Sequence, residues 1–324
     1  MLERETNGDP ARRRRILAAV RRYQETALDA RPGQFDSVAD TGLAKLARIG
    51  GTGPPLVFIP SLVNPPWVLD LGERSLARFL AAQGWEVFLV HWQRPAAGNE
   101  GPSLAGLVEQ HLLPLLGALE RPVLAGYCLG SVFAAAAARL LTVRGLLTLA
   151  STWTLSAYGD TARAELTAYW RAIEPLARKL GAVSMDLVQP AFWSLDPALP
   201  VRKFERYAAM PPASDAAARF ERMEDWANGG TPLPLAAAAE LFERGFGDCL
   251  FEQGWTVAGT TITPEVLSCP WLDIRAEADR IVPAAAAAPA PEQLTVPLGH
   301  VGMIVGSEAP RHVWNPVAQW LETL

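Results

Sequence analysis

Short apolar runs alternate along this chain with longer stretches in which apolar residues return every three or four positions. The runs are LVFIP (56–60), EVFLVHW (86–92), PVLAGYC (122–128) and RGLLTLAS (144–151). Each has the length of a strand buried on both faces. Between them, ERSLARFLAAQG, SLAGLVEQHLLPLLGALE and SVFAAAAARLL carry helical spacing. The first stops at Gly84, and Pro114 predicts a kink in the second. Strand and helix in alternation predict an α/β fold: a mostly parallel sheet with helices on both faces.

The alternation stops near Ser156. It resumes at PWLDIRAEAD (270–279), continues through QLTVPLGH (293–300) and ends in a helical stretch, PRHVWNPVAQWLETL. Residues 157–265 hold helical patches, prolines and polar turns instead. The pattern predicts an N-terminal helical segment over 1–32, an α/β core of 33–156 and 266–324, and an inserted cap over 157–265. Residues 33–54, rich in Gly, Pro and Asp, read as lead-in strands and turns.

Composition narrows the function classes. Half of the residues are hydrophobic and 19% are charged, enough apolar material for a sizeable core. A net charge of −5 gives no reason to expect nucleic acid. The basic run Arg12–Arg15 reads as a solvated helix face, with contact to an anionic surface or a partner as the alternative. Three cysteines are too few for a disulfide framework, and neither CxxC nor HExxH occurs, so no metal or other cofactor is expected. No apolar run is long enough to span a bilayer, and the expectation is a soluble protein of a reducing, cytoplasmic compartment. Trp67, Trp193, Trp226 and Trp255 read as core residues, with an apolar acyl channel as the alternative.

The candidate chemistry starts at LAGYCLGSV (124–132). Gly126-x-Cys128-x-Gly130 has the spacing of a nucleophile elbow, G-x-S-x-G, with sulfur in place of oxygen. Its position between a predicted strand and a predicted helix is the context that such an elbow needs. The glycines allow a sharp turn, and the N–H of Leu129 can stabilise a thiolate or an oxyanion. In the α/β-hydrolase fold the acid and the His follow the nucleophile in that order. Asp279 comes after WLDIRAE and His300 after QLTVPLG, each just past a predicted strand end, where open α/β sheets place their sites. Of the other histidines, His91 lies in a predicted strand, and His111 and His312 in predicted helices. Cys249 and Cys269 lack such a context and read as packing residues. The second oxyanion N–H is expected in IPSLVN, from Leu62 or Val63. A thiolate is both a strong nucleophile and a good leaving group, which suits passing an acyl group from one thioester to an alcohol.

GYCLGS, IPSLVNPPWVLDLGERSLARFLAAQGWEVFLVHWQRP, FWSLDPALPVRKFERY, DIRAEADRIVP and GHVGMIVG resemble polyhydroxyalkanoate (PHA) synthases over about residues 54–324. The length resembles the short catalytic-subunit type, which works with a separate helical partner subunit. The resemblance implies an α/β-hydrolase fold and polymerisation of (R)-3-hydroxyacyl-CoA with release of CoA. Cys128 would carry the growing polyester as a thioester, His300 would activate the thiol, and Asp279 would help to activate the incoming hydroxyl. It also implies a cap that covers the site and often mediates homodimer contact, and a place in the cytoplasm at the storage-granule surface. Ser131 stands where the family has a second Gly, Thr154 where it has Asp, and Arg280 where His is common. Arg94 and Arg280 are candidates for the CoA phosphates. Two other functions stay open: a hydrolase (acyl thioesterase or polyester depolymerase) with the same triad, and a non-catalytic granule scaffold.

Overall fold

The computed structural model describes residues 2–26, 36–72, 74–96, 100–196 and 198–324, so part of the predicted lead-in, 27–35, lies outside the described residues. The strands are β1 (Ser37–Asp40), β2 (Ala44–Gly50), β3 (Pro55–Ile59), β4 (Glu86–Trp92), β5 (Val123–Tyr127), β6 (Gly145–Leu149), β7 (Trp255–Val257), β8 (Thr260–Ile262), β9 (Trp271–Ala276) and β10 (Glu292–Val296). Eight of them make one sheet in the order β1-β2-β4-β3-β5-β6-β9-β10. The pairs β1/β2 and β2/β4 are antiparallel; every other pairing in this sheet is parallel. β7 and β8 form a separate hairpin.

The period-2 geometry of a strand explains why the runs are apolar throughout. Along β3, Val57 and Ile59 join one core cluster and Leu56 and Phe58 the other, so both faces of the sheet are covered. The first helices are α1 (Pro10–Glu25), α2 (Leu76–Ala82), α3 (residues 104–116) and α4 (Gly130–Leu140), of which α2, α3 and α4 flank the early strands. α3 does not simply kink at Pro114. Its middle turn, Val108–Leu112, widens to a π-helical turn just before the proline. Pro114 has no N–H for the carbonyl four residues back, and the wider turn absorbs that loss. His111 in this turn bonds through Nδ1 to the Thr41 carbonyl at 2.9 Å. In α4 the run Ala134–Ala137 is fully buried, and its small side chains let the helix lie close to the sheet.

β6 and β9 are neighbours in the sheet although the chain between them is long. That stretch holds α5 (Asp160–Leu180), α6 (Met185–Leu195), α7 (Leu199–Ala208), α8 (Asp215–Asn228) and α9 (Leu235–Ala239), the last running on as a π-helical segment, Glu240–Gly247. The N-terminal α1 packs on α7. Arg12 makes a bidentate pair with Glu205 (2.7 and 2.8 Å), and Arg22 donates to the Tyr207 carbonyl at 2.6 Å. Part of the basic face is therefore an internal contact, not a solvated surface. After β10 come α10 (Gly302–Val305), a π-helical turn Pro310–Trp314 with His312, and α11 (Asn315–Leu321). Among the described residues, no helix is long and apolar enough to cross a membrane.

Candidate active site

β5 ends at Tyr127, and the chain turns at Cys128 into α4. Cys128 has φ +56°, a region that a side chain with a Cβ rarely adopts. The turn is held by Cys128 N–H to the Leu149 carbonyl (2.9 Å) and by Ser131 N–H to the Cys128 carbonyl (2.9 Å). Both flanking glycines are required by space. A Cβ on Gly130 would stand 2.0 Å from the Ile59 carbonyl oxygen, and one on Gly126 would stand 2.4 Å from the Ser131 Cα. Ser131 fits because its hydroxyl is buried and donates to the Gly126 carbonyl at 3.0 Å. Leu129 is the N-cap of α4, so its N–H sits where a helix gathers anions.

Asp279 and His300 come from the loops after β9 and β10, adjacent strands whose ends lie side by side. Asp279 Oδ2 meets His300 Nδ1 at 2.6 Å, and its Oδ1 accepts the N–H groups of Ile281 (2.8 Å) and Val282 (2.9 Å). Both carboxylate oxygens are thus occupied, and the Asp279 side chain is 1% exposed. The His300 ring stacks on Tyr127 with centroids 5.0 Å apart, and the Tyr127 hydroxyl donates to the His300 carbonyl at 3.1 Å. With Nδ1 committed to Asp279, Nε2 is the ring atom left for Cys128, which lies near enough for its charge to act on the imidazole. Burial alone would lower the imidazole pKa, but the charge of Asp279 and the neighbouring Cys128 override it and push it up to about 10. Burial, then Cys128 and Asp279, keep the phenols of Tyr127 and Tyr158 protonated, well above their ordinary value.

Cys128 and His300 open on a cavity of about 210 Å³. Its lining is mainly apolar and comes from two sources. Ser61, Val63, Tyr127 and Leu129 belong to the sheet side, and Leu166, Trp193, Trp226, Phe242 and Phe246 to the helices between β6 and β9. The four tryptophans named from the sequence divide accordingly. Trp193 and Trp226 line the cavity, Trp255 is buried in the core, and Trp67 packs against the second core cluster.

The oxyanion candidates separate too. Val63 lines the cavity and its N–H donates to Ser61 Oγ at 3.3 Å, whereas Leu62 is buried in the core and does not line it. Arg280 reaches the cavity wall and donates to Asp196 at 3.0 Å; Asp196 also accepts from Arg202 at 2.7 Å. Burial opposes ionisation of Asp196, but the two guanidinium groups outweigh it and hold the carboxyl below its usual range. Arg94 is exposed and is not part of the lining. Thr154, at the position where the resembling family has Asp, donates weakly to the Ala287 carbonyl at 3.4 Å. Cys249 and Cys269 stand away from the cavity, and burial raises both thiols, the opposite of activation. His91, His111 and His312 do not line it either, and burial pushes His91 down to about 4. No cluster of His, Cys, Asp or Glu among the described residues could hold a metal ion.

Sequence reading missed Ser61, Tyr127, Tyr158 and Asp196. Ser61 carried a signal, a lone hydroxyl at the end of an apolar strand beside the expected oxyanion N–H. The other three carried none, because their roles rest on contacts across the fold.

The strand order and the elbow between β5 and α4 define an α/β-hydrolase fold. Solved structures agree: a hydrolase from Pseudomonas aeruginosa PA01 superposes with TM-score 0.57 at 18% identity, covering 90% of this chain and 99% of that one. MenH from S. aureus superposes with TM-score 0.55 at 14% identity, over 87% and 98%. No family model matches the chain. Curated relatives do. Poly(3-hydroxyalkanoate) polymerase subunit PhaC of Haloarcula marismortui is 23% identical over 285 residues, 82% of this chain and 60% of that protein. The subunit of the same name from Thiocystis violacea is 26% identical over 290 residues, 82% and 80% of the two chains. The chain thus has an α/β-hydrolase fold and is similar in sequence to poly(3-hydroxyalkanoate) polymerase subunits. It spans 60% of the length of the Haloarcula marismortui protein and 58% of that of the subunit of the same name from Haloferax mediterranei.

Proposed function

We propose that this protein is a Cys-dependent acyltransferase that takes (R)-3-hydroxyacyl groups from CoA onto Cys128 and passes them to a hydroxyl acceptor, releasing CoA. The observation that carries the reading is a positive-φ cysteine at a strand–helix elbow, beside a His300 oriented by Asp279, on an apolar cavity. In the first half-reaction Sγ attacks the thioester carbonyl with the thiol proton already held on His300 Nε2. The bond to the CoA sulfur then breaks, and the leaving thiolate takes the proton from the imidazolium. In the second, an acceptor hydroxyl gives its proton to Nε2, its oxygen attacks the Cys128 thioester, and Sγ leaves.

Asp279 acts through His300 in both halves. Its two oxygens are already engaged and it does not line the cavity, which supports an orienting role over direct contact with the incoming hydroxyl. Residues 157–265 serve as a cap, and their apolar contribution to the cavity favours transfer because it excludes water from the acyl thioester. A homodimer, a helical partner subunit and attachment to storage granules belong to the same reading. The hydrolase alternative keeps the triad and differs only in the acceptor.

The test traps labelled acyl on Cys128 from 3-hydroxybutyryl-CoA, removes free substrate and follows the label. Transfer requires a long-lived acyl-enzyme that is extended when substrate returns. Label lost as monomeric acid at the steady-state rate of CoA release would replace the transferase by a thioesterase.

A further inference from the structure

We propose that the side-chain hydroxyl of Ser61 is a catalytic oxyanion donor that works with the backbone N–H of Leu129. The inference rests on the reading of Cys128 as nucleophile. Ser61 follows Pro60 at the end of β3, and this strand end is pressed against the elbow. A Cβ on Gly130 would stand 2.0 Å from the Ile59 carbonyl oxygen and 2.7 Å from that of Pro60. Ser61 is 8% exposed and lines the same cavity as Cys128 and His300.

The hydrogen bonds at this corner assign the donor. Ser61 Oγ accepts the Val63 N–H at 3.3 Å, while its own proton has no acceptor among the described residues. A hydroxyl on a cavity wall whose proton has no protein acceptor is free to donate to whatever occupies the cavity. A hydroxyl that accepts an N–H is polarised to donate more strongly. The Val63 N–H, the backbone group expected for this task, is spent on Ser61, and Leu62 does not line the cavity. The hole therefore combines one backbone donor with one side-chain donor, and Val63 acts behind Ser61. As the Sγ–carbon bond forms, the carbonyl π pair moves onto oxygen, and Ser61 donates a hydrogen bond to that oxygen without losing its proton. When the tetrahedral species collapses, the pair returns to the carbon–oxygen bond and the thiolate leaves.

The experiment compares wild type, Ser61→Ala and Ser61→Thr in CoA release from 3-hydroxybutyryl-CoA and in alkylation of Cys128 by iodoacetamide. Loss of one oxyanion donor costs on the order of 10²-fold in kcat. Ser61→Ala should show that loss with KM changed less than ~3-fold, because the bond is made to charge that appears only in the transition state. Alkylation should be unchanged, since displacement at a saturated carbon builds no oxyanion. Ser61→Thr keeps the hydroxyl and should recover most of the rate, which separates the hydroxyl from simple packing. The assignment is overturned by an alanine variant with turnover within ~3-fold of wild type, by a threonine variant as slow as alanine, or by alkylation that falls in step with turnover. Wild-type CoA release no faster than that of Cys128→Ala would instead bring down the nucleophile reading, and this inference with it.

Discussion

Replacing Asp279 by Asn tests the electrostatic core of the site through stability as well as activity. In the wild-type fold the His300 pKa is raised from 6.5 to about 10, against the effect of burial, and Asp279 is the largest raising influence. The folded protein therefore keeps this proton over a range in which the unfolded chain releases it. The folded state binds more protons there, so stability falls as pH rises. The contribution is full below about pH 6.5 and is lost as pH rises through about 10. One proton corresponds to ~1.4 kcal/mol per pH unit, so the loss between pH 7 and 9 is roughly 2–3 kcal/mol. In Asp279→Asn the carboxylate is gone and burial dominates, so folded His300 is neutral. Its contribution then rises up to about the unfolded pKa, ~6.5, and is flat above it. Asparagine can still accept from Ile281 and Val282 through its carbonyl oxygen, so the loop has a way to keep its shape. The assay is urea unfolding of both proteins between pH 6 and 10, and the difference between the two curves isolates this pair from groups common to both. Parallel curves would refute the reasoning, since His300 would then owe nothing to Asp279. In turnover the variant should lose roughly 10³-fold or more, as expected when the group that fixes a catalytic imidazole's tautomer is lost.

Further outcomes follow from the same geometry. Cys128→Ala should abolish CoA release and Cys128→Ser should lose most of it, measured by free-thiol release; near-normal turnover in the alanine protein would end the assignment. His300→Ala should slow alkylation of Cys128 by iodoacetamide roughly 10²-fold, and equal rates would remove its activating role. Gly130→Ala places a methyl 2.0 Å from the Ile59 oxygen, so the β3–elbow contact must open. A loss of roughly 2–4 kcal/mol is expected in urea unfolding, and an unchanged midpoint would show that the elbow yields without cost. Arg12→Ala removes a partly exposed pair with Glu205, so the urea midpoint should move little while α1 becomes easier to cleave with protease; a large drop in the midpoint would mean that α1 is part of the core.

Several features were legible because they are written in local chemistry. The sheet strands β3–β6 show as continuous apolar runs, since a strand covered on both faces has no polar side to display. The elbow is legible because a cysteine forced to φ +56° between a strand and a helix needs small neighbours, and Gly126 and Gly130 supply them. The order Cys128, Asp279, His300 follows from which strand ends lie on one edge of a parallel sheet. The widened turn before Pro114 was half legible: a proline announces a disturbance, but packing selects its form.

The rest was decided by contacts between residues far apart in the chain. Arg12–Arg15 looks like a solvated face until α7 brings Glu205 to Arg12. Arg280 carries no sign in the sequence of its partner Asp196, which the fold brings to it from 84 residues away. Asp279 reads from sequence as either an orienting or a hydroxyl-activating acid; only the folded loop shows both of its oxygens engaged. Local sequence determines the backbone shapes that a segment favours, and so the sheet and the elbow. Which donor finds which acceptor depends on distances set when the helices between β6 and β9 close over the sheet. That is why the candidate nucleophile could be read from nine residues, while the contacts of the candidate acid and base required the whole fold.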